Sequence, residues 1–127
     1  MSDMANRNPS AAEKQWLKDI TSFIDEVGIG VLYTGFDHAA YQRHHVVGKS
    51  GKNNKVHIGY WFILPVPFEL HDVSSNSKYN VTHHKHAFTN KFGMQRDLFL
   101  QMLEEMRDHG YDLPPHDVCE AIRLTRV

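Results

Sequence analysis

Two adjacent histidines sit inside a strand-like run, Tyr41-Gln42-Arg43-His44-His45-Val46-Val47-Gly48, and a second cluster follows in Val81-Thr82-His83-His84-Lys85-His86. Successive side chains of a β-strand point to opposite faces, so His44 and His45 cannot both turn to one cavity in regular β-structure. A chain with this pair must divide the imidazoles between two tasks, or bulge the strand. The residues after the pair, Gly48-Lys49-Ser50-Gly51-Lys52-Asn53-Asn54, form a turn-rich basic stretch. Val56 to Leu64 then reads as a returning strand, so that a strand over 43–47 and this one make a hairpin with a long basic loop. Pro65 and Pro67 are expected to end the second strand and to start a short helix from about Val66 to Val73.

The flanks of this unit read as helices. Ser10 and Glu13 have the spacing of a capping box, and Trp16, Leu17, Ile20, Phe23, Ile24 and Val27 recur at helical spacing until Gly28 and Gly30 stop the pattern. Ile29 to Thr34 is β-branched and aromatic and reads as a short strand, and Gly35 to Ala40 as a turn. After the polar loop Ser74 to Asn80, helical spacing returns with Phe88 and Phe92, then Leu98, Phe99, Met102, Leu103 and Met106, with Gly93 dividing two helices and Gly110 closing the second. Pro114 and Pro115 open a last helix around Asp117 to Ile122. The expected architecture is α+β: a β-hairpin plus helix as a metal module, packed by N- and C-terminal helices, in one domain over 10–127 with a flexible N-terminus at 1–9.

Composition narrows the function classes. One cysteine, Cys119, excludes an intrachain disulfide and a four-cysteine zinc knuckle within these 127 residues. The longest apolar run, Trp61 to Phe68, contains two prolines and falls far short of the roughly 20 residues needed to span a bilayer. The N-terminus lacks the basic and apolar regions of a signal peptide, so the expected location is cytoplasmic. A formal net charge of -1 hides an asymmetry. Residues 38–96 carry eight Lys or Arg against two acidic residues, a charge of +6, and the remainder carries -7. Eight of the ten histidines also fall in that basic centre, which fits a polyanionic partner such as DNA.

Histidines from distant parts of the chain suit metal-assisted hydrolysis. Cleaving a phosphodiester needs water, a base to take its proton and a cation to neutralise charge on the phosphate. His44 and His45 on the first strand, His71 on the short helix and His83 and His84 after the loop supply imidazoles for these tasks. A ligand set of histidines favours zinc, manganese, nickel or cobalt over magnesium, which prefers oxygen; zinc or manganese is the first expectation, and magnesium stays a candidate. Other motifs carry less. His57 reads as a packed strand residue, and His109 as the complement of a helix C-terminus. Gly48-Lys49-Ser50-Gly51-Lys52 lacks the spacing of a phosphate loop, but as a hairpin loop it would set lysines against backbone phosphates. Tyr60, Trp61 and Phe62 read as core.

The run His44-His45-Val46-Val47-Gly48, a basic glycine-containing loop, Lys55-Val56-His57, Leu64-Pro65, Leu70-His71-Asp72, and His84 ahead of Ala87-Phe88 and Lys91-Phe92-Gly93 together resemble the phage recombination-enhancement nucleases. That family belongs to the HNH, or ββα-metal, nucleases, and the likeness covers roughly residues 37 to 104. It implies a DNA endonuclease with His44 as a metal ligand, His45 as the general base, His71 as a helix-borne ligand and His84, or His83 beside it, as the next. Arg43, Lys49, Lys52 and Lys55 are then expected to contact the DNA backbone. The resemblance further implies one divalent ion and, for some members, a partnership with a RecA-type filament in recombination. The rival expectation is a zinc-stabilised DNA- or protein-binding module without activity.

Overall fold

The computed structural model describes residues 8–127; residues 1–7 of the segment expected to be frayed lie outside the described residues. The fold is α+β. Two strands, β1 (Tyr41–His45) and β4 (Ile63–Pro67), pair antiparallel and run directly into the four-residue helix α2 (Phe68–His71). Between them lies a small second hairpin, β2 (Lys52–Asn53) with β3 (Val56–His57). The flanking helices are α1 (Ala11–Val27), α3 (Lys85–Phe92), α4 (Gln95–Asp108) and α5 (His116–Arg123).

The register explains how β4 tolerates two prolines. Pro65 and Pro67 stand opposite Arg43 and Tyr41, two residues apart, so both missing N–H groups point away from β1. The bonding positions are the alternate ones, and the ladder continues past both ends: the Val46 amide donates to Phe62 O (3.2 Å) and the Phe68 amide to Ala40 O (2.8 Å). The prolines therefore belong to the strand. The helix begins after them, at Phe68, and is shorter than the expected Val66 to Val73. All five residues of β4 are buried, covered by α1 and α4.

Helix α1 starts on the expected capping box, with the Ser10 side chain accepting from the Glu13 amide and Glu13 accepting from the Ser10 amide. Its stripe of Trp16, Ile20, Phe23 and Ile24 is buried. Each such side chain stabilises the fold by roughly 1.5–3 kcal/mol. Trp16 adds a hydrogen bond from its indole Nε1 to Trp61 O, 2.9 Å. Leu98, Phe99, Met102, Leu103 and Met106 of α4 and Val118, Ala121 and Ile122 of α5 complete the core. The last residues are tied down as well: the Arg96 amide donates to Val127 O and its guanidinium to Thr125 O.

Two expected strands take other forms. Ile29 to Thr34 opens as a 3-10 turn over Ile29–Val31. Its buried residues are Ile29, Leu32 and Tyr33, a spacing of three to four rather than the alternation of a strand, and among the described residues it joins no β-ladder. Gly30 lets this turn close onto Asp37, whose carboxylate would lie 1.9 Å from any Cβ placed there. The expected strand Val56 to Leu64 divides into β3 and β4, because the chain turns through Gly59. A Cβ on Gly59 would sit 2.3 Å from the carbonyl oxygens of Gly48 and Lys49, so only glycine allows the two loops to meet.

The segment after α2 is organised by Asn80, which is fully buried. Its Nδ2 donates to Asp72 O (3.0 Å), and its Oδ1 accepts from the amides of Thr82 (2.9 Å) and His83 (3.0 Å). Removing a side chain that satisfies three main-chain groups leaves those groups unpaired, at a cost of about 1–3 kcal/mol for a buried one. Asn80→Ala is thus expected to lower the urea-unfolding free energy by about 2 kcal/mol. An unchanged midpoint would show that this loop does not depend on Asn80.

Candidate metal centre

β1 sorts its side chains by parity. Tyr41, Arg43 and His45 take one face, where the Tyr41 hydroxyl donates to Asp25 Oδ1 of α1 (2.9 Å). Gln42 and His44 take the other, facing α2 and the start of α4. Because α2 follows β4 without a loop, its last residue, His71, returns to β1 beside His44. The two rings meet edge to face with centroids 4.9 Å apart, and His71 Nε2 lies 3.2 Å from His44 Nδ1. The outer nitrogens are held by carboxamides, His44 Nε2 by Gln95 Oε1 (2.9 Å) and His71 Nδ1 by Gln42 Oε1 (2.5 Å). Gln42 Nε2 in turn donates to Asp72 Oδ1 (3.3 Å), and Asp72 also accepts from the amide and hydroxyl of Ser74.

This environment keeps the rings neutral. Burial, aided by the neighbouring His71, lowers the pKa of His44 to about 4 against the opposing hydrogen bond to Gln95 Oε1. Burial also lowers His71, with Asp72 pulling the other way. Hydrogen bonds from Ser74 and Gln42 hold Asp72 below the usual carboxylate range. Neutral imidazole is the form that ligates metals. The pair fits a cation geometrically too: two nitrogens bound to one tetrahedral zinc at 2.0–2.1 Å stand about 3.3 Å apart, close to the spacing here.

The structure brings His44 and His71 together but not the rest of the expected ligand set. Among the described residues, no group of three His, Cys, Asp or Glu side chains gathers to hold a metal. His83 and His84 are exposed. Asn80 accounts for this: its side chain holds the His83 amide and its carbonyl oxygen accepts from the His84 amide (2.8 Å), steering this turn into α3. The His83 ring lies against Val73 O at 3.2 Å, and His84 becomes the residue that precedes α3.

His45 lies across the strand from the pair, as strand alternation requires. Its Nδ1 meets Gly59 O at 3.1 Å and its ring stands edge-on to Tyr60. It lines a cleft of about 530 Å³ with Lys14, Arg43, Lys49 and Tyr60. His71, Gln42 and Tyr41 line a neighbouring cleft of about 640 Å³, and Arg43 borders both. Lys49, Lys52 and Lys55 are exposed. Lys55 shares the tip of the β2–β3 hairpin with Asn54, both at positive φ (66° and 51°), and Asn53 fastens this hairpin to α5 through Ala121 O (2.8 Å). Burial pushes the Cys119 thiol pKa up, which disfavours the thiolate.

Gln42, Gln95 and Asp72 escaped the sequence reading as parts of the site. Gln42 carried a local signal, since it lies two residues before His44 and shares its face. Gln95 carried none, being far from β1 in sequence and joined to it only through the fold. Comparison of this chain with family models, curated proteins and solved structures finds no match.

The depressed His44 pKa has a sign that can be checked. The unfolded imidazole takes up a proton near pH 6.5 and the folded one only near pH 4, so between these values the unfolded state binds more protons and stability falls as pH is lowered. In EDTA, wild type is expected to lose on the order of 2 kcal/mol of unfolding free energy between pH 7 and pH 4.5, and His44→Gln clearly less. Equal losses in the two proteins would show that His44 is not the group responsible.

Proposed function

We propose that this chain is a metal-dependent endonuclease of the HNH kind, hydrolysing phosphodiester bonds in DNA. The observation that carries the reading is the succession of strand, strand and helix in which His44 and His71 direct nitrogens at one another across 3.2 Å. His44 and His71 would hold the ion, with zinc or manganese ahead of magnesium. When bound, such a cation supplies charge neutralisation at the phosphate and the departing oxygen. His83 and His84 have no part in this two-histidine version of the site.

His45 is the general base. With Nδ1 donating to Gly59 O, its proton is on that nitrogen and its lone pair is on Nε2, ready to take a proton from water. Arg43 borders both the cleft of His45 and the cleft of His71 and offers a bidentate cation to a phosphate. Lys49, Lys52 and Lys55 contact neighbouring phosphates without reading bases. The +6 charge of residues 38–96 supports a polyanionic substrate. A role beside a RecA-type filament in phage recombination rests on the family resemblance alone.

Supercoiled plasmid incubated with the protein and manganese, zinc or magnesium is expected to be nicked. His45→Ala should slow nicking by about 100-fold or more while metal content is unchanged. Metal uptake with no nicking under any ion, or a His45→Ala variant as fast as wild type, would contradict the reading, and the first outcome would favour a metal-stabilised binding module. By contrast, His71→Ala is expected to lose the ion itself, measured as metal content after dialysis. Full retention of metal would remove His71 from the site.

A further inference from the structure

The two carboxamides that flank the imidazole pair decide which nitrogen of each ring carries its proton. Asp72 is a carboxylate and only accepts hydrogen bonds at neutral pH, and it lies 3.3 Å from Gln42 Nε2. Gln42 must therefore give its NH2 group to Asp72 and its carbonyl oxygen to His71. That oxygen can only accept, so His71 Nδ1, 2.5 Å away, is the protonated nitrogen, and the lone pair is left on Nε2.

The other ring repeats the pattern from a different element. Gln95, the first residue of α4 and only 3% exposed, presents Oε1 to His44 Nε2 at 2.9 Å. With Oε1 as the facing atom, His44 carries its proton on Nε2 and its lone pair on Nδ1; the opposite sense of Gln95 would leave His44 Nδ1–H donating to His71 Nε2. In the first sense of Gln95 the two lone pairs confront each other across 3.2 Å. A hydrogen bond between the rings would require a carboxamide to turn over. Asp72 prevents that at Gln42, since the turned amide would set its oxygen against the carboxylate. Two acceptors held face to face in this way make a seat for a cation.

We infer that Gln42 and Gln95 are positioning residues that impose opposite tautomers on the pair, protonating His71 on Nδ1 and His44 on Nε2. A divalent cation is then bound through His44 Nδ1 and His71 Nε2, with Asp72 fixing the sense of Gln42. This rests on the proposed metal-dependent reading for the cation, but the tautomers do not depend on catalysis.

The test is long-range proton–nitrogen NMR of the histidine-15N-labelled protein near pH 7. Metal-free wild type is expected to show His71 protonated on Nδ1. On addition of zinc chloride, His44 Nδ1 and His71 Nε2 should take the shifts of coordinated nitrogens while both outer nitrogens keep their protons. Gln42→Met, which preserves shape but lacks the acceptor, should abolish the Nδ1–H preference of His71 and weaken zinc binding, measured against a chelating dye, by about 10–100-fold. Gln42→Glu combined with Asp72→Asn retains an acceptor for His71 Nδ1 without setting two carboxylates against each other, and should restore the tautomer. His71 protonated on Nε2 in the metal-free wild type overturns the inference whether or not the variants fold. So does a folded Gln42→Met with wild-type tautomer and zinc affinity. Correct tautomers without plasmid nicking would sink the nuclease reading and leave this inference standing, and nicking with reversed tautomers would do the opposite.

Discussion

The antiparallel register between Tyr41–His45 and Ile63–Pro67 is the constraint from which the site follows. It sets the parity of β1, sending Gln42 and His44 to one face and Arg43 and His45 to the other. It also fixes where β4 ends, and because α2 starts at the next residue, it fixes where His71 comes back. A slip by one residue would exchange the two faces and part His44 from His71. The prolines help to prevent such a slip, since moving either to a bonding position would leave a carbonyl of β1 without its donor.

Burial of β4 gives this small ladder its rigidity. A two-stranded ribbon alone is marginal in water, but here α1 and α4 cover Ile63, Leu64 and Val66. The same packing brings the first residue of α4, Gln95, against His44. The imidazole pair is thus held from three elements, β1, α2 and α4, through side chains whose partners are themselves fixed. Sites that keep donors in place before a ligand arrives require such support.

The sequence made the helices and the site's strand legible, because their signals are local. The Ser10–Glu13 capping box, the spacing from Trp16 to Ile24 and the Leu98-to-Met106 stripe all appear as expected. So does the opposed facing of His44 and His45, which follows from strand geometry alone. What could not be read depended on contacts distant in sequence. Pro65 and Pro67 looked like strand breakers until their register with β1 was known. Ile29–Val31 has strand-like composition but joins no ladder among the described residues. The exposed setting of His83 and His84 goes with the turn that Asn80 holds, a residue that reads in the sequence as one polar loop position among several.

The placement of His45 opposite the pair gives β1 two imidazole-bearing faces, His44 with His71 on one and His45 beside Arg43 on the other. The most direct test of the account is anomalous diffraction at the zinc edge from crystals of the zinc-loaded protein. A single strong peak about 2.1 Å from both His44 Nδ1 and His71 Nε2 is the predicted result. A peak among His83, His84 and His86, or no peak at the imidazole pair, would contradict it.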